Sequence, residues 1–166
     1  KNIYCEKPVG LNFGSTERIL QAARQSKKQF TVGYQFRFDP MIRWLKHQIL
    51  SDEIGEVTGV KIQWETSGAS RTPIESWRNK LNLGGGVLRD FGSHVFDYLS
   101  FIEAINYSQT NKEGEESHDF KTNIATRDIQ DVNFSGVFGR IDFDCILSRT
   151  RTKPIGHCVR ITGTKG

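Results

Sequence analysis

Asp90, His94 and Asp97 recur at i, i+4 and i+7 within residues 87–104, a stretch patterned as one long helix. At about 100° per residue, Leu88, Phe91, Val95, Leu99 and Ile102 gather into an apolar arc that must face a core, and the three ionisable residues form a narrow stripe beside it. A solvated helix face is the plain explanation for such a trio, and three features weigh against it. Phe96 and Phe101 flank the stripe. No lysine occurs from Leu83 to Ala104, where an exposed helix usually carries Glu–Lys pairs. The helix is also entered through Gly84-Gly85-Gly86, which lets a ligand approach backbone N–H groups at a positive dipole end. An imidazole held by a carboxylate one turn away can act as general acid or base near neutral pH, so the stripe is expected to line a functional site. A divalent cation is the rival chemistry for one histidine and two aspartates. No second histidine or cysteine stands at helical spacing to complete a ligand set, and no metal is assigned.

Lys7 is the second candidate, in Cys5-Glu6-Lys7-Pro8 at the end of the first strand-like run. A lysine on the carboxyl-terminal edge of a strand in an α/β sheet faces the crevice where ligands bind. Pro8 restricts Lys7 to extended backbone and allows a cis bond.

Positioning these groups requires a strand, a helix and a sheet, and the pattern supplies them. Asn2 to Cys5 reads as a strand, Ser15 or Thr16 caps a helix with Glu17 in its first turn and Ile19, Leu20 and Ala23 on its apolar face, and residues 30–36 read as a second strand. That order, with short connections, is a βαβ unit. Asp39 and Pro40 open a second helix with Ile42, Leu45 and Ile49 on its buried side and Gly55 beyond its end. Val60, Ile62 and Trp64 then alternate with polar residues in a strand with one wet face. Residues 66–83, carrying Trp77 and Arg78, are turn-rich, and residues 106–128, carrying Glu113, Glu115 and Glu116, read as a surface excursion with room for a short strand at 120–124. Residues 132–134 and 137–147 suggest a hairpin turning at Ser135-Gly136, with Ile141, Phe143 and Cys145 on one face and Asp142 and Asp144 on the other. The fold class is α/β (α+β): the C-terminal remnant of a Rossmann domain over residues 1–36, then, over residues 37–166, an open mixed or antiparallel sheet with helices on one face.

Composition narrows the function. The 166 residues are 36% apolar and 25% charged, as in a soluble globular protein able to bury a core. The net charge of +4 is mild and its lysines and arginines are interspersed with acidic residues, which argues against nucleic-acid binding. No apolar run approaches the roughly 18 residues of a membrane span, and no secretory leader opens the chain. Cys5, Cys145 and Cys158 are widely spaced and odd in number, against a disulfide framework and in keeping with a reducing cytoplasm. The chain opens on Lys1 directly into a strand and closes on an alternating run at Val159 to Thr162, so it reads as part of a larger protein.

Taken together these motifs resemble the glucose-fructose oxidoreductase / inositol dehydrogenase (Gfo/Idh/MocA) family. The matching elements are Glu6-Lys7-Pro8, the run Val32 to Phe38 with Pro40, Ile54-Gly55-Glu56-Val57, Trp77-Arg78, and Gly84-Gly85-Gly86-Val87-Leu88-Arg89-Asp90-Phe91-Gly92-Ser93-His94-Val95-Phe96-Asp97. The last is the specific one, a G-G-G-x-L-x-D-x-G-x-H-x-x-D pattern. The resemblance implies an NAD(P)-dependent oxidoreductase that transfers hydride between nicotinamide and a secondary hydroxyl of a sugar, nucleotide-sugar or cyclitol. It implies that Lys7 binds the reacting oxygen, that Asp90 supports lysine and histidine, and that His94 exchanges the hydroxyl proton. Asp97, Arg37 and Trp77 then become substrate contacts, with Asp97 also suited to orienting His94, and Glu6, Pro8 and Arg78 become cofactor contacts. The open sheet is implied as a surface for homo-oligomerisation. The family's G-x-G-x-x-G turn falls outside this chain, so the chain alone is expected to be inactive. The alternative from another class is a non-enzymatic protein of the same fold that senses a sugar or dinucleotide.

Overall fold

The computed structural model describes residues 1–110 and 120–166, without the side chains of residues 107–110, 126 and 127. Ile3–Cys5 (β1), Phe13–Gln25 (α1) and Phe30–Val32 (β2) form the expected strand–helix–strand unit, its strands paired in parallel. β2 is shorter than the run 30–36 suggests. Its ladder ends where β1 ends: the Gly33 N–H donates to the Cys5 carbonyl at 2.9 Å, and beyond Cys5 the chain leaves the sheet through a cis Lys7–Pro8 bond. Without a strand to pair with, Gln35–Phe38 curls into a 3-10 turn. α1 also starts earlier than a Ser15 or Thr16 cap predicts. Asn12 Oδ1 accepts from the Ser15 N–H at 2.9 Å, and Ser15 Oγ accepts from the Asn12 N–H at 3.1 Å. Ser15 is thus the inner half of a reciprocal capping box, and Glu17 falls beyond the first turn. Ile19 and Ala23 are half-buried, while Leu20 stays exposed.

Pro40–Leu50 (α2) is capped as expected, Asp39 Oδ1 accepting from the Met41 N–H at 2.8 Å. Val57–Glu65 (β3) lies between β6 and β7 in a five-stranded sheet of order β4-β5-β6-β3-β7, with Phe120–Asp128 (β4), Asp131–Phe138 (β5), Ile141–Ser148 (β6) and Gly156–Gly163 (β7). Within this sheet β3 and β6 pair in parallel and the other neighbours antiparallel, which demands a crossover. That crossover carries Gly68–Arg71 (α3), Val87–Asp90 (α4) and Gly92–Thr110 (α5). The excursion over 106–128 therefore holds a full strand, β4; Glu113, Glu115 and Glu116 lie outside the described residues. The β5–β6 hairpin turns at Gly139-Arg140, where Gly139 has φ +60°, and not at Ser135-Gly136. Gly136 is mid-strand: a Cβ there would stand 1.8 Å from the Lys121 carbonyl oxygen, so the glycine serves the close approach of β4.

The core forms where α5 and α2 cover one face of this sheet. Val95, Leu99 and Ile102 of α5 meet Val60, Ile62, Phe134, Phe143 and Cys145, all of them buried. Each large aliphatic among them contributes roughly 2 kcal/mol of burial free energy. Asn106 ties helix to strand inside the core, its amide donating to the Val57 carbonyl at 3.0 Å and accepting from the Val57 N–H at 2.9 Å. Burial pushes the Cys145 thiol up to about 12, which makes it a packing residue. Among the described residues no helix is long and apolar enough to cross a membrane.

Candidate active site

The carboxyl-terminal ends of the parallel pair β3 and β6 and the start of α5 share one end of the sheet, and the ionisable residues gather there. Lys7, just past β1, reaches across to α4. Its Nζ donates to the Asp90 carbonyl at 2.6 Å and to Asp90 Oδ1 at 3.2 Å, with both side chains largely buried (13% and 15% exposed). Asp90 Oδ2 faces Arg78 Nε at 3.4 Å, and the Arg78 guanidinium lies over the Trp77 ring, 4.6 Å from its centroid. One carboxylate thus holds two cations delivered by segments far apart in sequence.

The single helix expected over residues 87–104 is broken. Asp90 ends α4, Phe91 forms a turn, and α5 begins at Gly92. Phe91 stacks on Trp64 with ring centroids 4.4 Å apart. A Cβ on Gly92 would press to 3.0 Å from Leu88 Cδ1, so glycine admits the tight junction. The junction keeps Asp90 and His94 near one another while separating them onto two elements. The glycine run before α4 does not offer its N–H groups to a ligand either. Gly85 donates to the Lys80 carbonyl, Gly86 to Arg78 and Val87 to Ile129, at 2.8 to 2.9 Å. A Cβ on Gly85 would sit 2.3 Å from the Trp77 carbonyl oxygen, so this glycine packs the backbone of the segment that carries Arg78.

His94 is 3% exposed and boxed by aromatic rings. Phe36 meets it edge-on at 4.7 Å, Tyr34 at 6.0 Å, and Trp64 is tilted against it at 5.6 Å. Its pKa is lowered to about 4, by burial first, then by the Lys7 ammonium and by His157, with Asp90 opposing them. The imidazole is therefore neutral at pH 7. Asp97 does not hold His94 as the helical spacing suggested. Both Asp97 oxygens accept from the Arg37 guanidinium, at 2.6 to 3.0 Å, while Asp90 serves Lys7 and Arg78. Asp90 acts on the imidazole through space. That bidentate hydrogen bond raises the pKa of Arg37, whose guanidinium lies 5.7 Å from the Phe101 ring centroid and 6.0 Å from that of Tyr34.

The predicted residues Lys7, Asp90, Arg78 and His94 come together, and Arg37 with Asp97 forms a second pair nearby. Trp77 is partly open beneath Arg78, while Glu6 and Pro8 are exposed. The aromatic wall escaped the sequence reading: Trp64 is sandwiched between Phe91 and His157, the latter stacked at 4.1 Å. Trp64 and His157 face each other in the β3–β7 register, a pairing that no local pattern announces. Burial lowers the pKa of His157. A cavity of about 520 Å³ adjoins this wall, lined among others by Phe36, Asp39, Trp44, Tyr98 and His157. Among the described residues no three His, Cys, Asp or Glu side chains are grouped to hold a metal ion.

The chain is 20% identical over 146 residues to glucose-6-phosphate 3-dehydrogenase of Bacillus subtilis, covering 85% of this chain and 41% of that protein. It is 32% identical over 102 residues to inositol 2-dehydrogenase of Rhizobium meliloti, covering 61% of this chain and 29% of the relative. The crystal structure of an NAD binding oxidoreductase from Klebsiella pneumoniae superposes with a TM-score of 0.76 at 21% identity, over 99% of this chain and 46% of that one. The chain thus spans less than half the length of the relatives it matches. The sequence profile of the GFO/IDH/MocA C-terminal domain matches residues 42–166, well over half of the chain, and the chain belongs to that family.

Proposed function

We propose that this chain forms the substrate-side wall of an NAD(P)-dependent oxidoreductase acting on a secondary hydroxyl of a sugar, nucleotide-sugar or cyclitol. One observation carries the reading: a buried ammonium, Lys7, is fixed by Asp90 beside a desolvated, neutral imidazole, His94. Oxidation of an alcohol needs a base for the hydroxyl proton and a cation beside the developing alkoxide. His94 is ready to take the proton, and Lys7 stabilises charge on the oxygen. Asp90 keeps the ammonium in place. In the reductive direction His94 must first gain a proton, which its lowered pKa disfavours. NAD or NADP would supply the hydride acceptor or donor. Glu6, Pro8 and Arg78 would contact it at its reactive end. The glycine run at 84–86 spends its N–H groups internally, so the phosphates need a cradle outside these 166 residues. On their own the 166 residues should neither hold a dinucleotide tightly nor turn over. Asp97, Arg37 and Trp77 would line the substrate's far side.

The same reading makes residues 1–36 part of a dinucleotide-binding domain and residues 37–166 the substrate domain, supported by the separate two-stranded and five-stranded sheets. Homo-oligomerisation would use the uncovered sheet face, where Asp144, Lys61 and Arg160 stand in cross-strand register. The free cysteines suit the cytoplasm. The test is NAD(P)H absorbance in the longer protein carrying this sequence, against a panel of sugars and cyclitols. Turnover should appear with at least one, and His94→Ala or Lys7→Ala should each reduce it by about 100-fold or more without loss of folding. Tight sugar binding with no absorbance change across the panel would replace the enzyme with the sensor.

A further inference from the structure

Arg149, directly after β6, is 3% exposed. A buried guanidinium ordinarily lies against a carboxylate, because stripping a cation of water is costly. This one has neutral hydrogen-bond partners, and the carboxylate that acts on it through space is Asp90, with Arg78 opposing. Its Nη2 donates to Thr72 Oγ1 at 2.7 Å and its Nη1 to Gln130 Oε1 at 3.3 Å. The main chain is engaged as well, with the Arg149 carbonyl accepting from the Ala69 N–H at 2.8 Å and the Arg149 N–H donating to Gln130 at 3.0 Å. Gln130 continues the chain of contacts, its amide donating to Asn79 Oδ1 at 2.9 Å, and Asn79 in turn donates to the Pro73 carbonyl at 3.0 Å. The guanidinium therefore grips residues 66–83 at two places, directly at Thr72 and through Gln130 at Asn79. Asn79 follows Arg78, whose Nε stands on Asp90.

We propose that Arg149 is a positioning residue: through Thr72 and the Gln130–Asn79 bridge it fixes the 66–83 segment so that Arg78 stays on Asp90. A guanidinium suits the task because its planar fork reaches two acceptors in fixed directions, which a lysine cannot do. With Arg78 in place, Asp90 is in contact with two cations, and Arg149 acts on it through space as a third. Released from Arg78, Asp90 acts more strongly on the imidazole. The catalytic meaning rests on the proposed role of His94, but the coupling itself does not.

The experiment follows the His94 imidazole by NMR through a pH titration of the longer protein carrying this sequence, in Arg149→Lys, Arg149→Met, Arg78→Ala and the double variant Arg149→Lys/Arg78→Ala, which keeps the charge at position 149. Arg149→Lys keeps the charge and loses the two-armed grip. It should raise the proton affinity of His94 at least about threefold, as should Arg149→Met and Arg78→Ala. The double variant should move no further than Arg78→Ala alone, since the two residues act in series. A folded Arg149→Lys with an unchanged titration would reduce Arg149 to a structural tie, and additive shifts in the double variant would exclude a route through Arg78. Where the Arg149 variants do not fold, Gln130→Leu cuts the Asn79 bridge alone and is read in the same way. The titration needs no turnover, so its failure is distinguishable from failure of the oxidoreductase assay.

Discussion

Burying a neutral histidine makes the fold itself sensitive to acid. His94 titrates at about 4 in the folded chain, against 6.5 for a free histidine, with burial the largest cause and Lys7 the next. Between those values the unfolded chain binds a proton that the folded chain does not. Stability from this residue is therefore complete above pH 6.5 and is lost as the pH falls towards 4. Each pH unit of displacement is worth about 1.4 kcal/mol, so the whole contribution is about 3 kcal/mol, a large part of the 5–15 kcal/mol typical of a domain. His94→Phe keeps the aromatic packing with Phe36, Tyr34 and Trp64 and removes the titration. Urea unfolding of both proteins at pH 7.5 and pH 4.5 gives the comparison, because His157 and the carboxylates titrate in both and cancel. Between these two pH values the wild type should lose about 2.5 kcal/mol more than His94→Phe. Parallel losses, within about 0.5 kcal/mol, would mean that His94 is not desolvated in the fold and would remove the case for a buried neutral base.

The same geometry makes other perturbations predictable. Lys7→Met should raise the His94 pKa measured by NMR while leaving it below 6.5, because the burial that dominates the shift remains; a fall or no change would sever the two residues. Arg37→Leu leaves the Asp97 carboxylate buried without its cation. The guanidinium it loses is itself 44% exposed, so urea unfolding should show a cost of about 2 kcal/mol, against less than about 1 kcal/mol for Lys165→Ala at the exposed Lys165–Asp52 pair. Gly85→Ala drives a methyl into the Trp77 and Arg78 carbonyl oxygens. It should cost at least about 2 kcal/mol and displace Arg78 from Asp90, visible as a shift in the His94 resonance; a neutral substitution would show that the glycine's packing role is wrong.

Much of the fold can be read from periodicity alone. The apolar arc Leu88, Phe91, Val95, Leu99 and Ile102 packs on or into the core, and Val60 and Ile62 face inward as a strand with one wet face demands. Asp39-Pro40 announces α2 because an N-cap and a following proline act within one turn. Errors arose where a partner decides. The length of β2 depends on where β1 stops, and the position of the β5–β6 turn depends on Gly139, since Gly136 was needed for contact with β4.

The site divides in the same way. Residue types and spacing mark Lys7, Asp90 and His94 as candidates, because a lysine at a strand end and ionisable residues at helical spacing are local facts, and the family resemblance adds the roles. The local pattern could not say which carboxylate serves which cation. Asp90 goes to Lys7 and Arg78, and Asp97 goes to Arg37, through contacts spanning 60 or more positions in two of the three pairs. Nor could it foresee the aromatic box of Tyr34, Phe36 and Trp64 with His157 behind it, or the grip of Arg149 on the Arg78 segment. Sequence by itself determined which groups can carry a proton or a charge, since that is intrinsic to each side chain. Tertiary structure alone decided their ionisation, because desolvation and neighbouring charge exist only once strands and helices distant along the chain are packed together.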